Sequence, residues 1–173
     1  ITGAKRERLR LLLAHDLNLI AYHLPLDAHP ELGNNACLGA RLGLKTEGPL
    51  NPEGIGLYGV LDEPLTAEAF SERIAKALGR RPLHLPGGPA LIRRVGWCTG
   101  AAQDYIDQAL ALGLDAYVSG EVSERTTHAA LEGGIHYFAA GHHATERYGV
   151  QALGAHLAKR FGIEHRYIEL ENP

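Results

Sequence analysis

Histidine and carboxylate recur at one spacing in this chain. His23-Leu24-Pro25-Leu26-Asp27 and His142-His143-Ala144-Thr145-Glu146 each place an acid four residues after a histidine. Each string follows an apolar, strand-like run, Leu19-Ile20-Ala21-Tyr22 before the first and Tyr137-Phe138-Ala139-Ala140 before the second. Imidazole and carboxylate together suit borderline divalent cations such as zinc, manganese, iron or nickel, and two carboxylates can bridge a pair of ions about 3.5 to 4 Å apart. The chain has ten histidines, so one such match alone is weak, because the spacing also arises on ordinary surfaces. Two matches at strand ends are stronger, since strand ends form the ligand crevice of an open α/β sheet.

Three further features bear on chemistry. If the last long helix begins at His142, the i,i+4 spacing sets His142 and Glu146 on one face with Cβ atoms about 5 to 6 Å apart, within reach of a shared cation; Thr145 is the alternative N-cap. Cys98-Thr99-Gly100-Ala101-Ala102 is a small-residue turn between a strand and a helix, a form that can aim backbone N–H groups at an anion. It has neither G-x-G-x-x-G spacing nor a P-loop lysine, so a plain βα turn is the better reading. Ser119-Gly120-Glu121 puts a carboxylate on the same rim, where Glu121 is a candidate general base, a residue supporting a ligand, or a complement to a helix dipole. His84, His128, His136, His156 and His165 have no acid at ligand spacing and read as structural or surface residues, whereas His29 and His143 adjoin the two motifs and are placed to tune them.

The elements that must position these groups follow from periodicity and punctuation. A helix over Lys5–Ala14 with Leu9, Leu12 and Leu13 on one side leads into a strand at Leu17–Tyr22. A second helix begins near Asn35, capped by Asn34, with Leu38, Leu42 and Leu44 apolar and Gly43 as its stop. Residues 45–54 read as a loop, and Ile55–Leu61 as a strand ended by Asp62-Glu63-Pro64. Thr66 caps a helix whose stripe is Phe70, Ile74 and Leu78, stopped by Gly79. Beyond short strand Pro82–Leu85, strands and helices alternate: Leu91–Trp97, Gln103–Leu112, Ala116–Val118, Ser123–Leu131, His136–Ala140, Thr145–Phe161 with Val150, Leu153, Leu157 and Phe161 buried, and a closing strand Glu164–Leu170. Gly113, Gly133-Gly134 and Gly162 mark helix ends. Such alternation implies βαβ units and a largely parallel sheet, hence an α/β fold.

Composition bounds the rest. A chain of 173 residues that is 45% hydrophobic and 21% charged can bury a full core. A formal net charge of -3 with no long basic tract lacks the footprint of a nucleic-acid binder. Cys37 and Cys98 form no C-x-x-C pair and read as small core residues in a reducing compartment. No apolar run approaches the ~20 residues of a membrane span and the start lacks signal-peptide form, so a cytoplasmic protein is expected. The chain starts at Ile1 and contains no methionine, from which we expect that it is not a complete primary translation product.

Taken together, His-Leu-Pro-Leu-Asp-Ala-His-Pro-Glu-Leu-Gly-Asn-Asn (23–35), Tyr-Val-Ser-Gly-Glu (117–121), Ala-Gly-His-His-Ala-Thr-Glu-Arg-Tyr-Gly-Val (140–150) and Glu-Asn-Pro (171–173) resemble the YbgI or NIF-three-like family, whose members are often labelled GTP cyclohydrolase 1 type 2 homologues. The likeness runs in order along essentially the whole chain. It implies two related, interlocked α/β lobes, here an N-terminally incomplete domain with residues 1–90 as the remainder of the first lobe and 91–173 as a C-terminal βα lobe. It further implies a dinuclear metal centre and a hexamer built as a trimer of dimers. By position, Asp27, His142 and Glu146 match metal ligands of that pattern. His23 lines the same pocket in our reading and is not carried over as a ligand. Two consecutive histidines that the pattern also supplies lie upstream of the first residue here, so three ligands of five are present and two bound ions are expected of the complete protein.

Two functions are compatible with this reading. One is a metal-dependent hydrolase of GTP-cyclohydrolase type, in which water activated by the metal attacks a nucleotide or related small molecule. The other is a metal-binding oligomer without catalysis, serving as a carrier or regulatory partner. A third reading keeps the His-acid pairs as capping and hydrogen-bonding devices.

Overall fold

The computed structural model describes residues 1–172, so Pro173 of the terminal Glu-Asn-Pro string lies outside the described residues. Helix α1 (Gly3–Ala14) opens the chain and one-turn α2 (Leu24–Asp27) follows. The remainder reads α3 (Asn34–Leu42), β1 (Leu44–Pro49), β2 (Leu57–Leu65), α4 (Ala67–Leu78), β3 (Leu83–Leu85), β4 (Ile92–Cys98), α5 (Ile106–Ala111), β5 (Ala116–Ser119), α6 (Glu124–Gly133), β6 (His136–Ala139) and α7 (His142–Phe161). A 3-10 turn at Gln103–Tyr105 precedes α5.

One six-stranded sheet in the order β1-β2-β4-β5-β6-β3 organises this α/β fold. Strands β4, β5 and β6 run parallel, each joined to the next by a helix, as the alternation requires. Strands β2 and β3 pair antiparallel against the two flanks of that core, and β1 extends the sheet antiparallel beyond β2. Side chains alternate between its faces with a period of two. Val95, Trp97, Ala116, Val118 and Phe138 pack with Leu38, Leu42, Phe70 and Ile74 on one face. Cys98, Tyr117 and Tyr137 pack with Ile106, Ala109 and Ala130 on the other.

The α4 reading is met in detail. Thr66 Oγ1 accepts the Ala69 N–H at 3.2 Å, Phe70, Ile74 and Leu78 are buried, and Gly79 ends the helix at φ +70, a conformation that favours glycine. The helix expected at Asn35 begins one residue earlier, so Gly33 is its N-cap and Asn34 is free for another task.

Several expectations are corrected, each because pairing or packing partners, rather than local pattern, decide the outcome. Residues 45–49 are strand, not loop, because β2 supplies a partner, with an irregularity between Thr46 and Gly48. Strand β2 runs through Asp62-Glu63-Pro64 to Leu65, which reaches Ile92 after a register break. Leu17–Tyr22 is not a strand and its large side chains are exposed, with no neighbouring strand to supply the ladder. Glu164–Leu170 likewise runs as an irregular exposed tail. Helix α1 buries no residue. Helix α7 starts at His142 with Gly141, not Thr145, at the N-cap, and the residues it buries are Ala144, Thr145, Tyr148 and Gly149. Val150 and Phe161 are exposed, because the face bearing Thr145, Tyr148 and Gly149 is the one turned into the fold. Among the described residues no helix is long and apolar enough to cross a membrane.

Candidate functional site

The carboxyl ends of β4, β5 and β6 and the start of α7 come together on one rim. Strand β4 delivers Cys98 and Thr99, the residues after β5 deliver Gly120 and Glu121, and β6 leads through Gly141 into His142. The two segments after β5 and β6 are locked: Gly120 N–H donates to Gly100 O at 2.9 Å and Gly141 N–H to Gly120 O at 2.9 Å. Gly100 sits at φ +70, and a Cβ there would overlap the Glu146 carboxylate. Glycine thus admits Glu146 against the turn.

A cavity of about 400 Å³ opens at this rim. Asp27, His23, Cys98, Thr99, His142 and Glu146 form its polar lining, and Leu24, Ile55, Ala101, Ala102 and Tyr105 much of its apolar lining. The first motif therefore reaches the second across the fold, and Asp27, His142 and Glu146 share one pocket although the run before Asp27 is no strand. Asp27 is buried, ends α2, and has its Oδ1 held by Asn34 Nδ2 at 2.8 Å. Asp104 adds a third acid to the lining, and no lysine or arginine lines it.

His142 lies between two carboxylates. Its Nδ1 is 2.6 Å from Glu121 Oε1 and its Nε2 is 3.0 Å from Glu146 Oε2. Hydrogen bonding to Glu121, ahead of the opposing effect of burial, raises the His142 pKa and favours the imidazolium. Burial likewise raises the pKa of Glu146, which nearby Asp27 reinforces and His142 opposes. His142 and Glu146 thus face each other across a 3.0 Å contact at the edge of the cavity. Glu121 backs the imidazole and is not among the residues lining the cavity.

The Cys98–Ala102 turn spends the N–H groups of Thr99 and Gly100 internally. Thr99 N–H donates to Asn35 Oδ1 at 3.0 Å and Gly100 N–H to Thr145 Oγ1 at 3.0 Å, the plain-turn alternative. Burial pushes the Cys98 thiol up to about 12, with Asp27 adding to it, so it stays protonated near neutrality. Of the two flanking histidines, His29 Nδ1 accepts the Glu31 and Leu32 N–H groups at 3.2 and 3.1 Å within its own turn. His143 Nε2 faces Glu169 of the C-terminal tail at 2.7 Å. The residues that pattern reading misses are Asn34, Asn35 and Thr145, each buried and bonded across the fold; local helix capping is the most that their positions in sequence suggest.

The donor types around the cavity, with buried Asp27 and partly exposed Glu146 and His142 among them, fit a borderline divalent cation. Their spacing in this conformation is looser than a coordination shell: among the described residues no three His, Cys, Asp or Glu side chains are grouped tightly enough to hold an ion.

A mixed α/β sheet with a carboxylate-backed histidine and further acids around a cavity at its strand ends defines a class, an α/β protein with an acidic, imidazole-bearing pocket. The model of the Duf34/NIF3 (NGG1p interacting factor 3) family matches residues 1–173, and the chain belongs to that family. It is 57% identical over 176 residues to a Pseudomonas aeruginosa protein called GTP cyclohydrolase 1 type 2 homolog, spanning 100% of this chain and 69% of the relative. A Vibrio cholerae protein of the same name is 53% identical over 177 residues, spanning 100% of this chain and 70% of the relative. Among solved structures, protein ybgI, described as of unknown function, superposes with a TM-score of 0.96 at 48% identity, covering 100% of this chain and 70% of that one. A Thermus thermophilus protein, TTHA1606, gives 0.87 at 33% identity, covering 100% and 68%.

Proposed function

We propose that the pocket binds divalent metal, with Asp27, His142 and Glu146 as ligands, and that the protein uses it for hydrolytic chemistry on a small molecule. The observation that carries this reading is the carboxylate–histidine pairing of Glu121 with Nδ1 of His142, which turns Nε2 toward Glu146 in the cavity that Asp27 lines. Metal-binding histidines are oriented in this way in protein sites generally. When bound, a divalent ion supplies Lewis acidity and activates water near neutral pH.

The chain's own residues have assignable parts. Glu121 fixes the imidazole. Asp27, His142 and Glu146 would hold the ion, and such binding would require Glu146 ionised and the Nε2 of His142 unprotonated. Leu24, Ile55 and Tyr105 offer an apolar wall to a flat ring, and Cys98 remains a neutral thiol. The name of the curated relatives makes GTP the first substrate to assay, followed by other nucleotides and phosphoesters.

A second reading has its own observation. The cavity is lined by Asp27, Asp104 and Glu146 without a lysine or arginine, a poor seat for a bare triphosphate. That favours a pocket that holds metal without nucleotide turnover, in a carrier or a regulatory oligomer.

Metal content per protomer after loading with zinc or manganese, compared between the wild type and Glu146→Ala, tests the site. Bound metal that falls in the variant supports it, and no bound metal in the wild type overturns it. With metal present, hydrolysis of any of these compounds supports the hydrolase, and metal binding without turnover supports the carrier.

A further inference from the structure

We infer that Asn34 and Asn35 form a clamp that sets Asp27 against the helix carrying His142 and Glu146, which makes Asn34 a positioning residue of the pocket. The functional part of this inference rests on the metal reading above; the clamp itself stands on hydrogen bonds alone.

Asp27 sits at the end of a four-residue helix. A single turn fixes several dihedral angles for very few hydrogen bonds and has little stability of its own, so its orientation must come from elsewhere. It comes from two adjacent asparagines at the start of α3. Asn34 Nδ2 donates to Asp27 Oδ1 at 2.8 Å, while Asn34 Oδ1 accepts the backbone N–H of Gly149, inside α7, at 2.8 Å. A side-chain amide offers a donor end and an acceptor end, and Asn34 spends one on the carboxylate and the other on the helix that bears the remaining ligands. Asn35 repeats the device one residue on. Its Nδ2 donates to the Asp27 carbonyl at 3.2 Å, its Oδ1 accepts Thr99 N–H at 3.0 Å, and its carbonyl accepts Trp97 Nε1–H at 2.8 Å.

Three walls of the cavity, α2, the turn after β4 and α7, are thereby joined through neighbours that are 6% and 2% exposed. Buried polar groups left unpaired are costly, so bonds of this kind at both ends of each amide favour one arrangement. Close approach is built in from the far side as well: a Cβ at Gly149 would overlap Asn34 Oδ1. Asn34 thereby fixes the Oδ1 edge of the carboxylate that Asp27 presents at the pocket. Supporting hydrogen bonds on ligands are commonly worth tenfold to a hundredfold in metal affinity.

The test is zinc and manganese affinity, by competition with a chromophoric chelator, for the wild type, Asn34→Ala, Asp27→Asn and the double variant. Asn34→Ala is expected to weaken binding by about tenfold to a hundredfold, and by less than about threefold when Asp27 is already asparagine, since a residue that acts through another loses its effect in that background. An unchanged affinity, or an equal loss in both backgrounds, overturns the positioning role. Gly149→Ala, which touches neither acid nor imidazole, is expected to reproduce the loss from the opposite side, and unaltered binding counts against the clamp. If the wild type binds neither ion, the metal reading fails by itself, and the clamp is judged on exchange of the Asn34 side-chain amide protons in folded wild-type protein. Protection supports the clamp, and exchange at the rate of a free amide overturns it.

Discussion

Glu121 meets Nδ1 of His142 at 2.6 Å across 21 residues of sequence, and this contact decides which ring nitrogen faces the cavity. Both side chains are about half exposed, 45% and 47%, so the pair orients more than it stabilises. Glu121→Gln keeps the shape and removes the charge. We predict zinc affinity about tenfold to a hundredfold lower with the thermal midpoint little changed. A chelator competition that shows wild-type affinity would end the orienting role.

Gly100 and Gly79 form a matched pair of probes. Both sit at φ +70, but a Cβ at Gly100 overlaps Glu146 whereas nothing lies within 4 Å at Gly79. Alanine at either position should cost about 1–2 kcal/mol for the left-handed backbone. Gly100→Ala should cost more and should also lower metal content, while Gly79→Ala leaves it intact. Urea unfolding together with metal analysis checks this; equal metal loss in both would refute the steric argument.

Gly39 lets α3 lie flat on Trp97. An added Cβ would come 2.5 Å from Cζ2 of the indole, and Trp97 is fully buried. Gly39→Ala is therefore expected to destabilise the fold by about 1–3 kcal/mol through overpacking. Trp97 is the only tryptophan of the chain, so its fluorescence during urea unfolding reports the shift without a label.

His84 and His136 are joined ring to ring, Nε2 of the first lying 3.1 Å from Nδ1 of the second. His136 Nε2 is 2.9 Å from Pro89 O, which makes it the donor and leaves Nδ1 to accept from His84 Nε2 at 3.1 Å. Burial first, and then His136, lowers the His84 pKa, with Glu68 opposing. The unfolded chain then binds more protons between the folded value and about 6.5, so stability falls as pH drops through that window and is flat with respect to this group above it. Thermal midpoints from pH 7.5 to 5 should fall more steeply for the wild type than for His84→Gln. Parallel curves would remove His84 from the acid response.

Much of the fold was legible because local rules and tertiary demands agreed. Thr66, the Phe70–Ile74–Leu78 stripe and Gly79 define α4 without outside help, and the alternation from Leu91 onward defines the parallel core. Legibility ended where a segment's state depends on a distant partner. Residues 45–49 look like loop until β2 is beside them, and Leu17–Tyr22 look like strand until no neighbour is found. In α7 Val150, Leu153, Leu157 and Phe161 carry the visible periodicity, yet Ala144, Thr145, Tyr148 and Gly149 are the ones buried, because the N-terminal half of the helix is the part that packs into the fold.

The order of residue types by itself determined the two His-acid strings, the α/β class and the small-residue turn at Cys98, since spacing, helix punctuation and strand alternation are properties of neighbours along the chain. Only the tertiary structure decided that Asp27 would share a cavity with His142 and Glu146, that Glu121 would hold the imidazole, and that Asn34 would tie Asp27 to Gly149 across 115 residues. Those relations join groups far apart in sequence, and hydrogen-bond geometry exists only once packing has brought both partners within reach.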